Sequence, residues 1–236
     1  MYIGDDYVFL LPQYQMALAH SHSMLHIFLA RQPIEVRCLD QQIIGHFIVL
    51  DSDCEHEVKM GANECLVYLI DPSSVLCEQI RQKYLHSARI VCPDMDEPIK
   101  QFLIDSLDCE RKLDGSDLFK CMELKYTGDF QEKKDERIQQ VIHGVKSGIF
   151  LNLEVKEIAG RVYLSESHLS HLFKAETGMN LKNYLLMNKL KVAFERLNAG
   201  MNITESAQAA NFFDAAHLCN LVKKTTGLNI SEIFPS

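Results

Sequence analysis

The sequence predicts an α+β protein of two domains, a strand-rich N-terminal half followed by an all-α half built from two helix-turn-helix units. Three observations carry this prediction. The chain has 236 residues, enough for two cores when domains commonly run about 100 to 150 residues. Residues 7–70 break into short apolar runs separated by Pro, Gly, Asp and Ser, and the pattern turns helical after Pro72. Finally, the C-terminal half contains an internal repeat.

The first half reads as strands at Tyr7–Leu11, Gln15–Ala19, Leu25–Ala30, Glu35–Leu39, Ile43–Leu50 and Cys65–Ile70. Many short strands with turn signals between them predict a small β-barrel or jelly roll. Helices follow at Ser74–Leu85, Asp96–Lys112 and Ser116–Lys125, and the polar stretch Thr127–Lys134 reads as an interdomain linker. The expected boundaries are 1–128 for the first domain, 129–135 for the linker and 136–236 for the second.

The repeat is His168-Leu169-x-x-Leu172-x-Lys174-x-x-Thr177-Gly178-x-Asn180, which recurs as His217-Leu218-x-x-Leu221-x-Lys223-x-x-Thr226-Gly227-x-Asn229. Leucines at i and i+3, with Phe173 or Val222 next, make one buried helix face, and each glycine supplies a left-handed stop. Upstream of the first copy lies the amphipathic Val155–Val162, with Ser165 placed as an N-cap. Upstream of the second lies Ile203–Ala210, then Asn211-Phe212-Phe213 as a turn and Asp214 as the cap. The small Ala159 and Ala207 allow two helices to cross closely. Between the copies, Leu181–Asn198 forms one helix of about 27 Å, ending at Gly200.

Charge and cysteine content narrow the function classes. The net charge of −8 argues against a nucleic-acid partner until it is divided. Residues 131–236 hold 13 Lys and Arg against 11 Asp and Glu, a balance of +2, which leaves −10 for residues 1–130. The eight cysteines form no C-x-x-C pair and lie in apolar segments, reading as reduced, buried thiols of a cytoplasmic protein. No apolar run reaches the roughly 18 residues of a membrane span, and no signal-peptide pattern opens the chain.

From about residue 136 to 234 the sequence resembles the DNA-binding domain of the AraC/XylS family of bacterial regulators. The resemblance rests on Ile158-Ala159, Ser165-x-x-x-Leu169-x-x-x-Phe173-Lys174-x-x-x-Gly178, Tyr184, Leu190-x-x-Ala193, Ile203, Ala207, Phe212 and Lys223-x-x-x-Gly227. It implies a transcription regulator whose partners are promoter DNA in duplex form and RNA polymerase, with activation as the expected sign and a homodimer as the expected state. By the same resemblance the base-reading face of the first recognition helix holds Glu166, Ser167, Ser170 and His171, with Ser165 at its start also in the DNA-binding set and Lys174 one turn on, near phosphate. That of the second holds Ala215, Ala216, Cys219 and Asn220, with Lys223 supplying charge. Among these Asn220 is the strongest reader, since an amide can read adenine. The chain departs from the family at Asn211, where a turn glycine is usual, at Ser206, where a core isoleucine is usual, and at Leu181 and Ile230, where prolines are usual. Helices within residues 74–125 are the implied dimer face, with Val75, Ile80, Leu85, Phe102, Leu103, Leu107, Leu118 and Phe119 as their apolar residues, which core packing explains equally well.

Five of the ten histidines lie between residues 20 and 56. On a strand His20 and His22 share a side, and His20-x-His22-x-x-x-His26 with a later His56 resembles the cupin metal motif, with His26 where that motif has glutamate. The resemblance implies a cupin-like β-barrel and a metal site of His20, His22, His26 and His56 for Zn(II) or another divalent transition metal. The alternative is an effector pocket in which the same histidines orient a small molecule. Cys38, Cys54 and Cys65 on neighbouring strands leave open a redox or soft-metal sensor. Three functional readings therefore stand: a DNA-binding regulator with a ligand or metal effector, an interaction protein that binds a protein partner, and a metal-dependent cupin enzyme.

Overall fold

The structure is a computed structural model and describes residues 1–12, 16–61, 64–108, 115–124 and 134–234. Most of the expected linker, the end of the helix expected to run to Lys112, Gln15, Lys125 and Cys109 lie outside these residues. By packing, the chain divides into two compact units, Met1–Gly128 together with Cys219–Ser236, and Asp129–Leu218. The last stretch of the expected C-terminal domain thus groups with the first unit.

The first unit is organised by an antiparallel sheet of β1 (Tyr2–Ile3), β2 (Tyr7–Leu10), β3 (Met16–His20), β4 (Leu25–Cys38), β5 (Gln41–Leu50), β6 (His56–Lys59), β7 (Cys65–Ile70) and β8 (Ile90–Val91). Its order is β1-β2-β7-β4-β5-β8, with β6 pairing the far half of β4 and β3 pairing β6. Among the described residues this pairing does not close on itself, so the sheet is open there and the strand-rich half is borne out without the closure of a cupin-like barrel. β4 departs from the expected pattern. Two strands were expected on either side of Pro33, yet one strand of 14 residues runs through it. A register shift between Leu29 and Ile34 against β5 absorbs the proline, since a bulge needs no ladder N–H at that place. The first half of β4 pairs β7 and the second half pairs β6, and among the described residues β1, β3 and β8 each pair on one side only.

Both faces of the sheet are buried. Leu25, Ile27, Leu29, Phe47, Val49, Leu66, Tyr68 and Ile70 point to one side, and alternation sends Phe28, Ala30, Ile48, Leu50, Cys65 and Val67 to the other. The first face is covered by α1 (Val75–Ile80), continued as a π-turn over Arg81–Leu85, α2 (Glu97–Asp108) and α3 (Asp117–Cys121). Ser74 caps α1, its hydroxyl accepting from Cys77 N at 3.1 Å. Ile80, Leu85, Phe102, Leu103, Leu118 and Phe119, expected at a dimer face, are spent on this core. The second face packs on Ala17, Ile34, Val36, Cys38, Val58 and Met60 and on Leu228, with Ile233 against them.

The second unit holds α4 (Glu136–Lys146), α5 (Val155–Arg161), α6 (Glu166–Thr177), α7 (Leu181–Asn198) and α8 (Ile203–Ala209), and α9 (Ala215–Thr226) begins in it. α10 (Ile230–Ile233) closes the described chain. Ile138, Val141, Val145, Ile158, Ala159, Leu169, Phe173, Leu181 and Tyr184 form one core in which α4 to α7 meet. None of the described helices is long and apolar enough to cross a membrane.

Candidate nucleic-acid interface and histidine cluster

The repeat seen in the sequence is reproduced bond for bond. The Ser165 hydroxyl accepts from His168 N at 3.2 Å, and the Asp214 carboxylate accepts from His217 N at 2.7 Å, each satisfying a helix N–H that has no partner within its helix. At the other end Thr177 donates to Phe173 O at 2.7 Å and accepts from Met179 N at 3.2 Å. Thr226 does the same with Val222 O at 2.8 Å and Leu228 N at 3.2 Å. Gly178 and Gly227 follow with φ of 75° and 70°, the left-handed stops that the pattern predicted.

The turns also correspond, with one difference. Leu164 N donates to Ala159 O and Phe212 N to Ala207 O, both at 2.9 Å. The residue before each donor is left-handed, Tyr163 at φ 57° and Asn211 at φ 56°. Asparagine tolerates this region well, which is why the turn forms without glycine. From this point the copies differ by one residue. Ser165 caps α6 directly after Leu164, whereas Phe213 intervenes between Phe212 and Asp214 and stands 91% exposed. The offset of 49 holds for the recognition helices, while the helices before them are offset by 48.

The residues expected at the DNA face lie on the open side of their helices. Ser165, Glu166, Ser167, Ser170, His171 and Lys174 are all exposed, while Leu169, Phe173 and Thr177 of the same helix are buried. On α9, Ala216, Asn220 and Lys223 are exposed and Ala215 and Cys219 half-buried, against buried Leu218 and Val222. Lys224, also exposed, adds a second positive charge to the last turn of α9. Ser206 is fully buried in α8, and its hydroxyl has no hydrogen-bond partner among the described residues.

The histidines converge, though by a route that strand alternation did not predict. β3 is irregular between Ala17 and His20, so Leu18 and Ala19 are exposed and His20 turns inward together with Ala17. His20 pairs directly with His56 of β6. His22 lies beyond the end of β3, its Nδ1 accepting from Met24 N at 3.1 Å. His26, the second residue of β4, lies on the inner sheet face, stacked on Phe28 at 5.2 Å between ring centres. Ring centres of His20 and His56 are 4.2 Å apart, those of His22 and His26 4.5 Å, and those of His26 and His56 4.6 Å.

Burial disfavours the charged imidazole throughout. It lowers the pKa of His20 and, with repulsion from its neighbours, holds His22 and His26 well below the usual histidine value. Burial and the His20 charge bring His56 down to about 4, against the raising effect of its bond to the Cys54 carbonyl. Burial likewise raises the Cys38 thiol to about 11 and pushes Cys65 higher still. Reactive cysteines need the opposite environment, exposed and electropositive, so the thiol-sensor reading loses its footing at both positions.

The helix-turn-helix domain family matches residues 158–235. No curated protein sequence matches the chain. Among solved structures, ToxT from Vibrio cholerae is similar over 97% of this chain and 98% of its own, with a TM-score of 0.62 at 12% identity. ToxT solved with an unsaturated fatty acid bound is similar over 99% of this chain and 96% of its own, with a TM-score of 0.61 at 12% identity. At such identity the likeness is one of fold, and it extends over both halves of the chain. The domain match and the paired motifs identify residues 158–235 as a helix-turn-helix domain of the AraC/XylS type.

Proposed function

We propose that the chain binds promoter DNA through α6 and α9 and that the first unit holds the effector site that tunes this binding. The observation that carries the reading is the duplicated motif itself: two recognition helices with matching caps and stops, each exposing a polar side, separated in the chain by a helix of about 27 Å. Successive major grooves on one face of a duplex lie roughly 34 Å apart, a distance suited to such a spacer. His171 and Asn220 read base edges, while Lys174, Lys223 and Lys224 neutralise phosphates.

A charge of only +2 over residues 131–236 supplies little counterion release. Specific affinity then draws on a second copy at an adjacent site or on RNA polymerase, which fits activation better than simple occlusion. The fatty acid held by ToxT in one solved structure makes a small organic acid one effector class, and the histidine cluster offers another.

The test is selection of bound fragments from genomic DNA by the purified full chain, followed by fluorescence anisotropy on the recovered sequence. The wild type is expected to prefer that sequence over a scrambled duplex, and the combined His171→Ala, Asn220→Ala variant to lose the preference while keeping nonspecific binding. An unchanged preference would remove these two residues as readers; no enrichment of any sequence would remove the regulator reading.

A further inference from the structure

The four histidines at the end of the inner sheet face have ligating atoms all within 4.8 Å of one another. Two features separate them from histidines buried for packing alone. His20 and His56 each use Nδ1 against a carbonyl oxygen, Leu18 O at 2.7 Å and Cys54 O at 2.8 Å. A carbonyl only accepts, so Nδ1 carries the proton in both rings and Nε2 is left as a bare lone pair. This is the arrangement by which a backbone carbonyl fixes the tautomer of a ligating imidazole. In addition, His56 Nε2 and His26 Nδ1 are buried with no hydrogen-bond partner among the described residues, a costly state for polar atoms unless something satisfies them.

We propose that this cluster is a binding site for one divalent transition-metal ion of the zinc class, ligated by His20 Nε2, His56 Nε2 and His26 Nδ1, with the fourth position exchangeable. An all-imidazole set suits zinc, nickel, cobalt or copper and disfavours calcium and magnesium, which prefer oxygen. A tetrahedral ion with Zn–N of about 2.0–2.1 Å brings its ligand atoms to about 3.3 Å from one another, a contraction within reach of ring rotation. His22 differs from the others. Its Nδ1 accepts from Met24 N–H, so in the neutral ring Nε2 holds the proton, and ligation there requires giving up that bond.

The position of the site gives metal loading a consequence, which rests on the DNA-binding reading above. Within the same compact unit, Gly227, the stop of α9, lies against the ligand strand. A Cβ placed at Gly227 would fall 2.4 Å from Leu18 O and 3.0 Å from His20 Nδ1, the two atoms that orient the His20 ring. An ion that fixes His20 therefore fixes the surface on which α9 ends.

The full chain, stripped with a chelator, is titrated with Zn²⁺ by calorimetry and with Co²⁺ by visible absorption, in the absence of DNA. One ion per chain and an intense tetrahedral Co²⁺ spectrum are expected. His56→Gln is expected to weaken binding more than about a hundredfold, beyond the roughly 10–100-fold that loss of a supporting partner costs. His22→Gln should stay within about tenfold of the wild type, and Cys38→Ser should leave binding unchanged. Absence of saturable binding in the wild type overturns the site, whatever the variants do; so does wild-type affinity in a His56→Gln protein whose circular dichroism is native. Anisotropy on the selected DNA with and without metal forms a separate arm. DNA binding that ignores a bound ion overturns the coupling alone, whereas loss of DNA binding in both states with the ion still bound counts against the regulator reading and leaves the site standing.

Discussion

The two helix-turn-helix motifs share caps, turns and stops, yet they are built on different cores. The first lies wholly in the second unit, where Ile158, Ala159, Val162, Leu169 and Phe173 join α4 and α7 in one apolar cluster. The second is divided. Its leading helix α8 buries Ser206 where the first motif buries Ile158, its recognition helix carries Val222 where the first has Phe173, and from Cys219 onward it groups with the sheet. Leu228, just past its stop, packs in the inner sheet core. Local hydrogen bonding thus specifies the motif's shape, while side-chain volume decides how much it holds itself together. The first motif is self-supporting; the second borrows apolar surface from the sheet.

The widest separation between them is expected in core truncation. Phe173 is fully buried, and Phe173→Ala should destabilise the unit that contains it by about 3–5 kcal/mol through lost transfer energy and the cavity left behind. Val222→Ala removes less and should cost about 2 kcal/mol. Urea denaturation followed by circular dichroism measures both, and equal losses would break the distinction between a self-supporting motif and a dependent one.

The sequence showed the second unit more fully than the first, for a physical reason. Helix signals are local: the i, i+3 leucines, the caps Ser165 and Asp214 and the glycine stops all act within a turn or two, and each fell where expected. Asn211 was legible for the same reason, as a residue able to take the left-handed turn. Sheet topology is not local. Pro33 read as a break because nothing in its neighbours announces the bulge that accommodates it, and β6, with the polar sequence His56-Glu57-Val58-Lys59, offers no alternating apolar pattern. The openness of the sheet depends on which halves of β4 meet β6 and β7, a matter of pairing between distant segments. At the histidine cluster the membership was readable from composition and spacing, but the geometry was not. His22 reaches the cluster from beyond the strand, and only the carbonyls of Leu18 and Cys54 reveal which ring nitrogens are free.

A smaller contrast is expected at the DNA faces. Asn220→Ala should reduce discrimination against a substituted base pair by about 1–3 kcal/mol, as for a lost bidentate contact to adenine. Lys223→Ala should weaken binding to all sequences alike and lower the slope of log affinity against log salt by about 1. Titrations at several salt concentrations separate the two effects. If Asn220→Ala behaves like Lys223→Ala, the second motif only grips, and reading belongs to α6.

Ser206 allows the core difference to be narrowed in place. Its hydroxyl is buried without a partner among the described residues, and an unsatisfied buried group of this kind costs about 1–3 kcal/mol. Ser206→Ala removes the hydroxyl at little cost in volume and should raise stability by about 1 kcal/mol. The matching truncation in the first motif, Ile158→Ala, should instead lower it by about 2–5 kcal/mol. A loss of stability in Ser206→Ala would mean that the hydroxyl is satisfied by water, and the second motif would then be less compromised than its packing indicates.

The finest distinction lies in the caps. Ser165 and Asp214 perform the same task, each accepting from the N–H three residues on, and truncating either to alanine should cost about 1 kcal/mol. They differ in charge. A carboxylate favours the positive end of its own helix by about 0.3–1 kcal/mol, but that end of a recognition helix is also where a phosphate would bind, and there Asp214 repels. Asp214→Asn keeps an oxygen to accept from His217 N and removes the charge. Its stability should change by less than about 0.5 kcal/mol, while affinity for DNA rises at low salt and the gain fades as salt screens the phosphates. The equivalent neutral exchange Ser165→Asn should alter neither quantity to the same degree, because no charge is lost. If both asparagine variants bind alike at every salt concentration, Asp214 lies outside the reach of the phosphates, and the second motif approaches DNA by a different edge from the first.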